Sequence, residues 1–523
     1  MLIKPHKHID VFFLIVLSLS CQSDKDKSDR LQSEDNIAVA NQEHYKELHR
    51  PQYHYTSKVN WFNDPNGLIF HKGLYHMYYQ YNPKGTQWGN MSWGHATSKD
   101  LIHWKEHEVA IHMTEHMIFS GTTAIDTNND SGLCNSKDCM IAAYTSFEYE
   151  LDADNNIQNI AQHQSLAVSH NDGYSFEHYK GNPVLDIRSK EFRDPKIIKH
   201  GTHWIMLVSL ADQHQIAFYN SKDLKHWTEV SRFGPLGDTQ SVWECPDLFP
   251  LKIGDTTKWV LTLSAGHPQG HGFYAMQYFI GAFDGETFIP DPLNYPRYLD
   301  YGKDFYAGIT FAHTNTEDYV TMMAWLGCHV YTKDTPTTNW RGAMSLPRAL
   351  RLKYIDDELH LVGNVPKKAM DHLIDQTWNE DDVIVEGQFK IPLDSKAFIA
   401  EFEIHKSTVK AGIDVLSNGE RHTKIGYDPH SNSVFIDRRH SGTTDFNEAF
   451  PSVETAPVHS ESDTTSLKIY VDHSIVEVFV NDGETMITDR VFPIDNANEI
   501  VLFSEGKATV FKNIAIKTLK SIW

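Results

Sequence analysis

A short apolar run recurs five times in the first two thirds of the chain, and this repetition limits the possible folds more than any other feature. Most of the runs are followed by a further strand-like segment and a polar turn, and helical periodicity is scarce. Repeats of about 50–70 residues made of short strands and turns are typical of the blades of a β-propeller. We therefore predict an all-β chain that contains a five-bladed β-propeller. The apolar runs cover residues 74–81, 140–144, 204–208, 259–263 and 319–325.

The pattern changes from about residue 383 onward, where strands alternate between apolar and polar residues. Residues 466–471 and 475–480 are examples, and the hairpin turn Asn481-Asp482-Gly483 follows them. About 140 residues of this kind favour a β-sandwich. The predicted domains are a propeller over 51–365, a linker over 366–382 with a short helix near 367–376, and a β-sandwich over 383–523.

The N-terminus is typical of an export signal. Lys4 and Lys7 precede an apolar stretch, 11–19, that is too short to span a bilayer comfortably. Cys21 follows Leu-Ser-Leu-Ser, which resembles a bacterial lipoprotein signal, so 1–21 is predicted to be a signal peptide and Cys21 to be lipidated. The polar segment 22–50 is predicted to be a disordered tether, and its start resembles surface-export signals of Bacteroidetes lipoproteins.

These features predict an exported protein that is anchored by lipid at the outer membrane or the cell surface. An ordinary cleaved signal peptide, which would give a periplasmic or secreted protein, is the alternative.

The chain is strongly acidic, with 47 Lys and Arg against 69 Asp and Glu and a net charge of −22. Such a surface repels phosphate backbones, so we exclude nucleic acid as a partner and expect contact with a membrane only through the lipid anchor. A neutral polysaccharide is not affected by this charge.

Cysteine and histidine spacing gives no sign of a metal centre. Cys134 and Cys139 would close a very small loop, which leaves open whether they form a disulfide. Two histidine pairs are spaced four residues apart, yet nothing around them predicts a helix that would hold both rings on one face. We therefore expect neither a metal nor another cofactor. The pairs are His112 with His116 and His267 with His271.

Three acidic residues occupy equivalent places in three of the repeats. Asp64 in Trp-Phe-Asn-Asp-Pro-Asn-Gly, Asp194 in Phe-Arg-Asp-Pro and Glu244 in Trp-Glu-Cys-Pro-Asp each precede the middle strand of their unit. The first strand of a propeller blade lines the central channel, so these acids are predicted to meet in one funnel. By the same logic, Ser120 and Asp304 are predicted to open blades two and five. Two carboxyl groups facing one sugar are what retaining glycoside cleavage requires, so the motifs predict a glycosidase.

Together and in this order, the motifs resemble those of glycoside hydrolase family 32, which contains levanases, inulinases, fructan exo-hydrolases and invertases. The resemblance covers the propeller from Tyr53 to about Leu361 and includes Trp-Arg-Gly-Ala-Met-Ser-Leu-Pro-Arg at 340–348. It extends more weakly to the C-terminal region, where Val-Asp-His-Ser-Ile-Val-Glu-Val-Phe occupies 471–479.

The resemblance implies a role for each acid. Asp64 is expected to be the nucleophile that attacks a fructofuranosyl unit, and Glu244 the general acid and base. Glu244 is expected to have a raised pKa, because of partial burial and two neighbouring carboxylates. Asp194 is expected to stabilise the transition state through fructose hydroxyls, with Arg193 balancing the local charge. This scheme needs no metal.

The family also implies a pocket for the terminal fructose, with polar groups for its hydroxyls and aromatic walls. Its outer part departs from the family pattern, because many relatives have Asn and Trp soon after the blade-five Trp, whereas here 326–331 is Leu-Gly-Cys-His-Val-Tyr. This difference bears on chain-length preference. The residues implied in the pocket are Asn63, Gln80, Trp88, Phe119, Ser120, Arg193 and Trp325.

The expected function is hydrolysis of β-fructofuranosyl linkages in a fructan such as levan or inulin, with fructose released from the chain end. A tethered enzyme that faces outward meets polymer before it meets a diffusible disaccharide, and a funnel closed by three acids favours exo-cleavage. Within the family, the alternatives are an endo-levanase and a sucrose-hydrolysing invertase. More remote alternatives are a non-catalytic fructan-binding protein and an arabinan-active five-bladed hydrolase.

Overall fold

The computed structural model describes residues 44–152, 154, 157–266, 275–314, 318–406, 408–459 and 462–523. The predicted signal peptide, Cys21 and most of the predicted tether lie outside these residues. The prediction that disorder extends to residue 50 is wrong, because His49 and Arg50 are buried and the Arg50 guanidinium donates to the Thr56 hydroxyl at 2.9 Å. The chain separates into two units, 1–47 and 48–523, and the propeller and the sandwich both belong to the second. Among the described residues, no helix has the length and apolar character needed to cross a membrane.

Five antiparallel sheets form the blades of the predicted propeller. Each blade is built mainly from strands that pair in chain order, and the first strands of neighbouring blades contact one another around the centre. The ring is closed by Trp340–Arg341, which pairs in parallel with the first strand of blade one. A disulfide joins Cys134, in the loop before the second strand of blade two, to Cys139, the first residue of that strand. The prediction of an all-β, five-bladed propeller is confirmed.

The strands of the propeller have the following bounds. Blade one has β1 (Asn60–His71), β2 (Leu74–Asn82), β3 (Ser92–Ser98) and β4 (Trp104–Ile111). Blade two has β5 (Met117–Asp126), β6 (Cys139–Leu151), β7 (Ile157–Ser169), β8 (Glu177–His178) and β9 (Leu185–Ser189). Blade three has β10 (Phe192–His200), β11 (His203–Leu210), β12 (Gln215–Ser221) and β13 (Thr228–Phe233), with a 3-10 turn at Ala211–Gln213.

Blade four has β14 (Val242–Ile253), β15 (Thr256–Gly266), β16 (Ala275–Phe283), β17 (Phe288–Pro290) and β18 (Tyr298–Asp300). Blade five has β19 (Tyr306–Thr310), β20 (Val320–Trp325) and, after β21 (Trp340–Arg341) has joined blade one, β22 (Arg348–Ile355) and β23 (Glu358–Asn364). A 3-10 turn at Thr332–Asp334 lies between β20 and β21.

The first strand of every blade carries a β-bulge near its start. At each bulge the inner strand advances three residues while its partner advances two, which re-aims the side chains of that stretch. Asp64, Ser120 and Asp194 lie within bulges, and Glu244 immediately precedes one. The same backbone feature therefore positions all four predicted site residues. The bulges fall between Phe62 and Pro65, Ile118 and Gly121, Arg193 and Lys196, Glu244 and Asp247, and Tyr306 and Ile309.

The prediction that Asp304 opens blade five toward the funnel is wrong. The bulge of blade five contains Ala307 and Gly308, whereas Asp304 precedes β19 and is fully buried. Its carboxylate accepts hydrogen bonds from the Tyr331 hydroxyl and from Arg438 of the C-terminal domain, both at 2.7 Å. Because Asp304 lies before the strand rather than in its bulge, it contacts the other domain instead of the funnel.

The C-terminal region forms the predicted β-sandwich. Its long last strand pairs with Ala411–Ser417 through its first part and with Ala397–His405 through its second, so the two layers share it and enclose one apolar core. The strands are β24 (Ile374–Lys390), β25 (Ala397–His405), β26 (Ala411–Ser417), β27 (Thr423–Asp428), β28 (Ser433–Asp437), β29 (Val453–Pro457), β30 (Thr464–Asp472), β31 (Ile475–Val480), β32 (Thr485–Arg490) and β33 (Glu499–Leu519).

The linker predicted over 366–382 is shorter than expected, because β24 already begins at Ile374. Most of β24 is exposed and it contains the acidic run Glu380-Asp381-Asp382, so it lacks the alternation that identifies a strand in a sequence. Its place is set by pairing with β33, at the far end of the domain. The short helix expected near 367–376 is a single 3-10 turn, Asp371–Leu373.

A buried network of ion pairs joins the propeller to the sandwich. Arg348 of β22 is fully buried and binds Asp300 at 2.8 Å and Glu477 of β31 at 2.9 Å. Its guanidinium also lies 3.7 Å from the centroid of the Phe305 ring. Glu477 is 3.0 Å from His54, so the segment before blade one is held by the same carboxylate. Buried charges of this kind are stable only when their partners are present.

Replacing Arg348 with Met should destabilise the protein by about 3–5 kcal/mol, because two buried carboxylates would lose their partner. Urea unfolding followed by tryptophan fluorescence measures this change. Arg232→Met is the matched control, since Arg232 and its partner Glu229 are largely exposed, and such a pair contributes at most about 1 kcal/mol. Equal losses in the two variants would contradict a special role for the buried network.

Candidate active site

A cavity of about 350 Å³ lies where the bulges of blades one to four meet. It brings together the three predicted acids, Asp64, Asp194 and Glu244, from three different blades. Of the other residues predicted for the pocket, all except Trp325 line this cavity. They are Asn63, Gln80, Trp88, Phe119, Ser120 and Arg193.

Asp64 is held at the cavity by two side-chain donors. The Ser120 hydroxyl donates to Asp64 Oδ2 at 2.7 Å, and the Asn63 amide donates to Oδ1 at 3.0 Å. Asn63 is itself oriented by the Trp61 indole N–H, which donates to its side-chain oxygen at 2.8 Å. The Asp64 carboxylate therefore has the fixed orientation that a reacting group requires.

Asp194 lies deeper, with 6% of its surface exposed. The backbone N–H of Cys245 donates to its Oδ2 at 3.0 Å, and the N–H of Asp194 donates to the Thr145 hydroxyl oxygen at 2.9 Å. The buried Cys245 thiol lies 3.6 Å from an oxygen of Asp194 and 3.7 Å from one of Asp64. Asp194 and Cys245 have positive φ angles, 63° and 49°, which are uncommon outside glycine and recur at functional sites.

The Glu244 side chain is 22% exposed and contacts two donors. Arg193 Nε donates to Glu244 Oε1 at 2.9 Å, and the Tyr306 hydroxyl donates to Oε2. Arg193 also donates to Glu191 and, at 3.3 Å, to the side-chain oxygen of Gln162. A single guanidinium thus offsets part of the negative charge of the clustered carboxylates.

These contacts shift the pKa values of Asp194 and Glu244. Burial raises the pKa of Asp194 to about 7, and although Arg193 opposes this, the neighbouring Glu244 and Asp64 carboxylates reinforce it. Burial also acts to raise the pKa of Glu244, but Arg193 and the Tyr306 hydroxyl outweigh it, so its pKa lies below the ordinary value. The prediction of a raised pKa for Glu244 is therefore wrong for the substrate-free site, because Arg193 pairs with Glu244.

Aromatic side chains form one wall of the cavity. Phe119 stacks on Phe147 with ring centroids 4.4 Å apart, and Trp88 meets Phe119 edge-on at 5.9 Å. Trp88 is 39% exposed, so it lies at the opening. Gln80 is fixed by donating to the backbone carbonyl of Ile118 at 2.9 Å. Apolar rings beside oriented polar groups suit a sugar, which has apolar faces and a rim of hydroxyls.

Trp325 lies behind the cavity wall. A direct role in the pocket would require it to lie on the wall, so the prediction that it contacts the sugar is wrong. It is fully buried, and its ring centroid is 4.8 Å from that of His329, which is exposed and does line the cavity. Within the described chain, the indole N–H of Trp325 has no hydrogen-bond partner. Trp325 therefore supports His329 from behind.

Several site residues were missed by sequence reasoning. His329 falls in the segment 326–331, which departs from the family pattern. This departure was the feature of the sequence that could have identified His329 as a site residue. Glu191 immediately precedes the Phe-Arg-Asp-Pro motif, and Tyr306 opens β19. The remaining residues lie on β6 and β7, where no motif marks them. They are Phe147, Ile160 and Gln162.

Of the two histidine pairs noted in the sequence, the described pair, His112 and His116, does not line the cavity. His116 lies 3.2 Å from Glu148, at the end of β6. His267 and His271 lie outside the described residues.

Comparison with known proteins identifies the family. The model of the glycosyl hydrolases family 32 N-terminal domain matches residues 54–363, and the model of the family 32 C terminal matches 368–518. The chain belongs to glycosyl hydrolase family 32. The family predicted from the motifs is thus confirmed, and the chain is a glycosidase.

Relatives match both domains. A levanase from Bacillus subtilis is 37% identical, over 93% of this chain and 72% of the relative. An extracellular exo-inulinase from Aspergillus niger is also 37% identical, over 93% of this chain and 97% of the relative. The crystal structure of exo-inulinase from Aspergillus awamori has a TM-score of 0.84 and 34% identity, and covers 92% of this chain and 100% of that one.

Replacing Tyr306 with Phe removes a hydrogen-bond donor to the Glu244 carboxylate, so the pKa of Glu244 should rise. As the predicted general acid, Glu244 sets the high-pH limb of the kcat/KM profile for a fructoside, so this limb should move to higher pH. Tyr149→Phe is the control. It also removes a tyrosine hydroxyl near the cavity, but from a ring that packs beside Phe147 rather than from the donor to Glu244. A limb that stays in place, or moves to lower pH, would contradict the proposed effect of the Tyr306 hydroxyl.

Proposed function

We propose that the protein is a retaining β-fructosidase that removes fructose from the ends of levan or inulin chains. The observation that carries this proposal is the meeting of Asp64, Asp194 and Glu244 in one cavity of about 350 Å³ with an aromatic wall. Retaining cleavage needs a nucleophile and a proton donor acting on the same sugar. The similarity to a levanase and an exo-inulinase supports β-fructofuranosyl linkages as the target.

Asp64 is the nucleophile in this scheme. Its oriented carboxylate attacks the anomeric carbon, the bond to the leaving oxygen breaks, and a covalent fructosyl ester forms. Glu244 gives its proton to the leaving oxygen. In the second step Glu244 takes a proton from water, which attacks the anomeric carbon, releases fructose with retained configuration and restores Asp64.

Substrate binding also has to move a proton, because the contacts of the free site favour it on Asp194 rather than on Glu244. Fructose hydroxyls that donate hydrogen bonds to Asp194 favour its ionised form. The negative charge that develops on Asp194 then favours the protonated form of Glu244. Asp194 thereby couples recognition of the sugar to preparation of the acid, while Arg193 limits the total negative charge.

Exo-cleavage on a neutral polymer is supported by shape and charge. A cavity with carboxylates at its base accepts a chain end, whereas endo-cleavage needs room for polymer on both sides. Fructan carries no charge, so the net charge of −22 does not repel it. The complete set of three acids argues against a non-catalytic fructan-binding protein, and membership of family 32 argues against an arabinan-active hydrolase.

We further propose that the enzyme is exported and anchored by a lipid on Cys21. The signal-like segment 1–21 and the polar segment 22–50 support this location, as does the similarity to a relative named as extracellular. A polar tether of this length allows the catalytic unit to reach insoluble or high-molecular-weight polymer outside the membrane.

Purified protein incubated with levan or inulin should release only fructose at early times, as measured by size separation of the products. Asp64→Asn is the matched control and should release none, because a carboxamide of the same shape cannot form the ester. A ladder of oligosaccharides would overturn the exo assignment. Clear preference for sucrose over both polymers would make the protein an invertase.

Replacing Cys21 with Ser should move the protein from the membrane fraction to the soluble fraction or block its processing, because the site of lipidation is lost. Cell fractionation followed by immunoblotting measures the distribution. Ser23→Ala, two residues further on, is the control and should stay with the membrane. Unchanged membrane association of Cys21→Ser would contradict the lipid anchor.

A further inference from the structure

A polar turn of one sequence pattern occurs in blade one and again in blade three. The pattern Ser-Lys-Asp-Leu-x-His-Trp occupies 98–104 and 221–227. In blade one, Asp100 Oδ1 accepts the backbone N–H groups of Ile102 at 3.0 Å and of His103 at 2.8 Å, and Asp100 Oδ2 lies 2.9 Å from His103 Nδ1. The turn therefore holds a carboxylate oxygen and an imidazole nitrogen side by side, and both side chains are half-exposed.

The turn in blade three has the same internal hydrogen bonds. Asp223 Oδ1 accepts the backbone N–H groups of Lys225 at 3.0 Å and of His226 at 2.9 Å, and Asp223 Oδ2 lies 2.6 Å from His226 Nδ1. An aspartate at the start of a turn forms such bonds with its own backbone, so the Asp-His pair by itself is explained by the turn. In the part of the chain that the structure describes, only the pair in blade one has a third candidate metal ligand beside it.

The third ligand is His372, which is exposed and comes from the segment between the propeller and the sandwich. It lies in the 3-10 turn Asp371–Leu373, immediately before β24. The centroids of the His372 and His103 rings are 4.9 Å apart. One ligand atom from each of Asp100, His103 and His372 lies within 4.8 Å of the other two. Two imidazoles and a carboxylate, distant in sequence, thus meet at one place on the surface.

The spacing of these ligands is set by the core beneath them. Ile102, next to His103, and Met370 and Leu373, on either side of His372, are buried and belong to one apolar cluster. The Leu373 carbonyl also accepts the backbone N–H of Lys520 at 2.8 Å. Both elements that carry the histidines are therefore held by packing, which is how a protein prepares side chains to bind an ion.

The ligand types select the kind of metal. Two imidazoles and one carboxylate suit zinc, whereas magnesium and calcium prefer oxygen ligands alone. Zinc bonds to nitrogen and oxygen are about 2.0–2.2 Å long, so the ligand atoms must approach more closely than 4.8 Å. The exposed His372 ring can provide this approach by rotating about its side-chain bonds. The backbone N–H groups on Asp100 Oδ1 keep the carboxylate in place while it does so.

We propose that Asp100, His103 and His372 form a zinc-binding site that ties blade one to the segment between the two domains. A water molecule completes the four-coordinate geometry that zinc prefers. The ligands come together only in the folded chain, so the ion stabilises the folded state. None of the three residues lines the catalytic cavity, so the ion acts on stability and takes no part in the cleavage of the substrate.

Isothermal titration calorimetry tests the binding of zinc. The purified protein, without a histidine tag, is treated with a chelator, freed of it and titrated with zinc chloride. His103→Ala and His372→Ala should each weaken binding about tenfold or more, because one of three protein ligands is lost. His226→Ala is the matched control, since it removes the equivalent histidine of blade three and should bind zinc like the wild type. No binding by the wild type, or equal affinity of the wild type and His372→Ala, would overturn the proposal.

Thermal unfolding tests whether the ion ties the two elements together. Zinc at about 100 times its dissociation constant should raise the unfolding midpoint of the wild type and of His226→Ala by a few degrees, and that of His372→Ala by much less. Magnesium chloride at the same concentration is the control and should change none of the midpoints. A midpoint of the wild type that is the same with and without zinc would overturn the proposal.

Discussion

The ion pair between Arg348 and Glu477 holds the propeller and the sandwich in one arrangement. Both side chains are fully buried, and Asp300, His54 and Thr488 complete the network around them. Taking charges out of water costs several kcal/mol, so such a network forms only when the two domains meet in the one way that pairs all of its members.

The chemistry depends on a feature that is repeated in the propeller, the bulge at the start of each first strand. It turns Asp64 and Asp194 toward the same cavity, and the strand that contributes Glu244 does so just before its own bulge. Three carboxylates so close together repel one another, and Arg193 reduces that repulsion by pairing with Glu244. The pKa of Asp194 is consequently raised and that of Glu244 lowered in the free site, and in the proposed mechanism a sugar bound to Asp194 reverses this difference.

The predicted acids met as expected because each belongs to a motif at an equivalent place in its repeat. The same reasoning failed for Asp304, which resembles them in sequence but lies before its strand and not in the bulge. The family resemblance also assigned Trp325 to the pocket, since a sequence does not tell which side of a wall a large ring occupies. The pKa of Glu244 was mispredicted because it is set by Arg193 and Tyr306, which come from two other blades.

The sequence by itself determined the all-β class, the five repeats, the change to a sandwich and the identity of the acids. These follow from alternation, turn residues and short motifs, which are properties of neighbouring residues. Only the tertiary structure decided which groups shift the pKa values of Asp194 and Glu244 and what joins the domains. Arg348 and Glu477 each lie in a motif that was visible in the sequence, yet they are 129 residues apart. Their pairing depends on distances through space, and these exist only once the chain has folded.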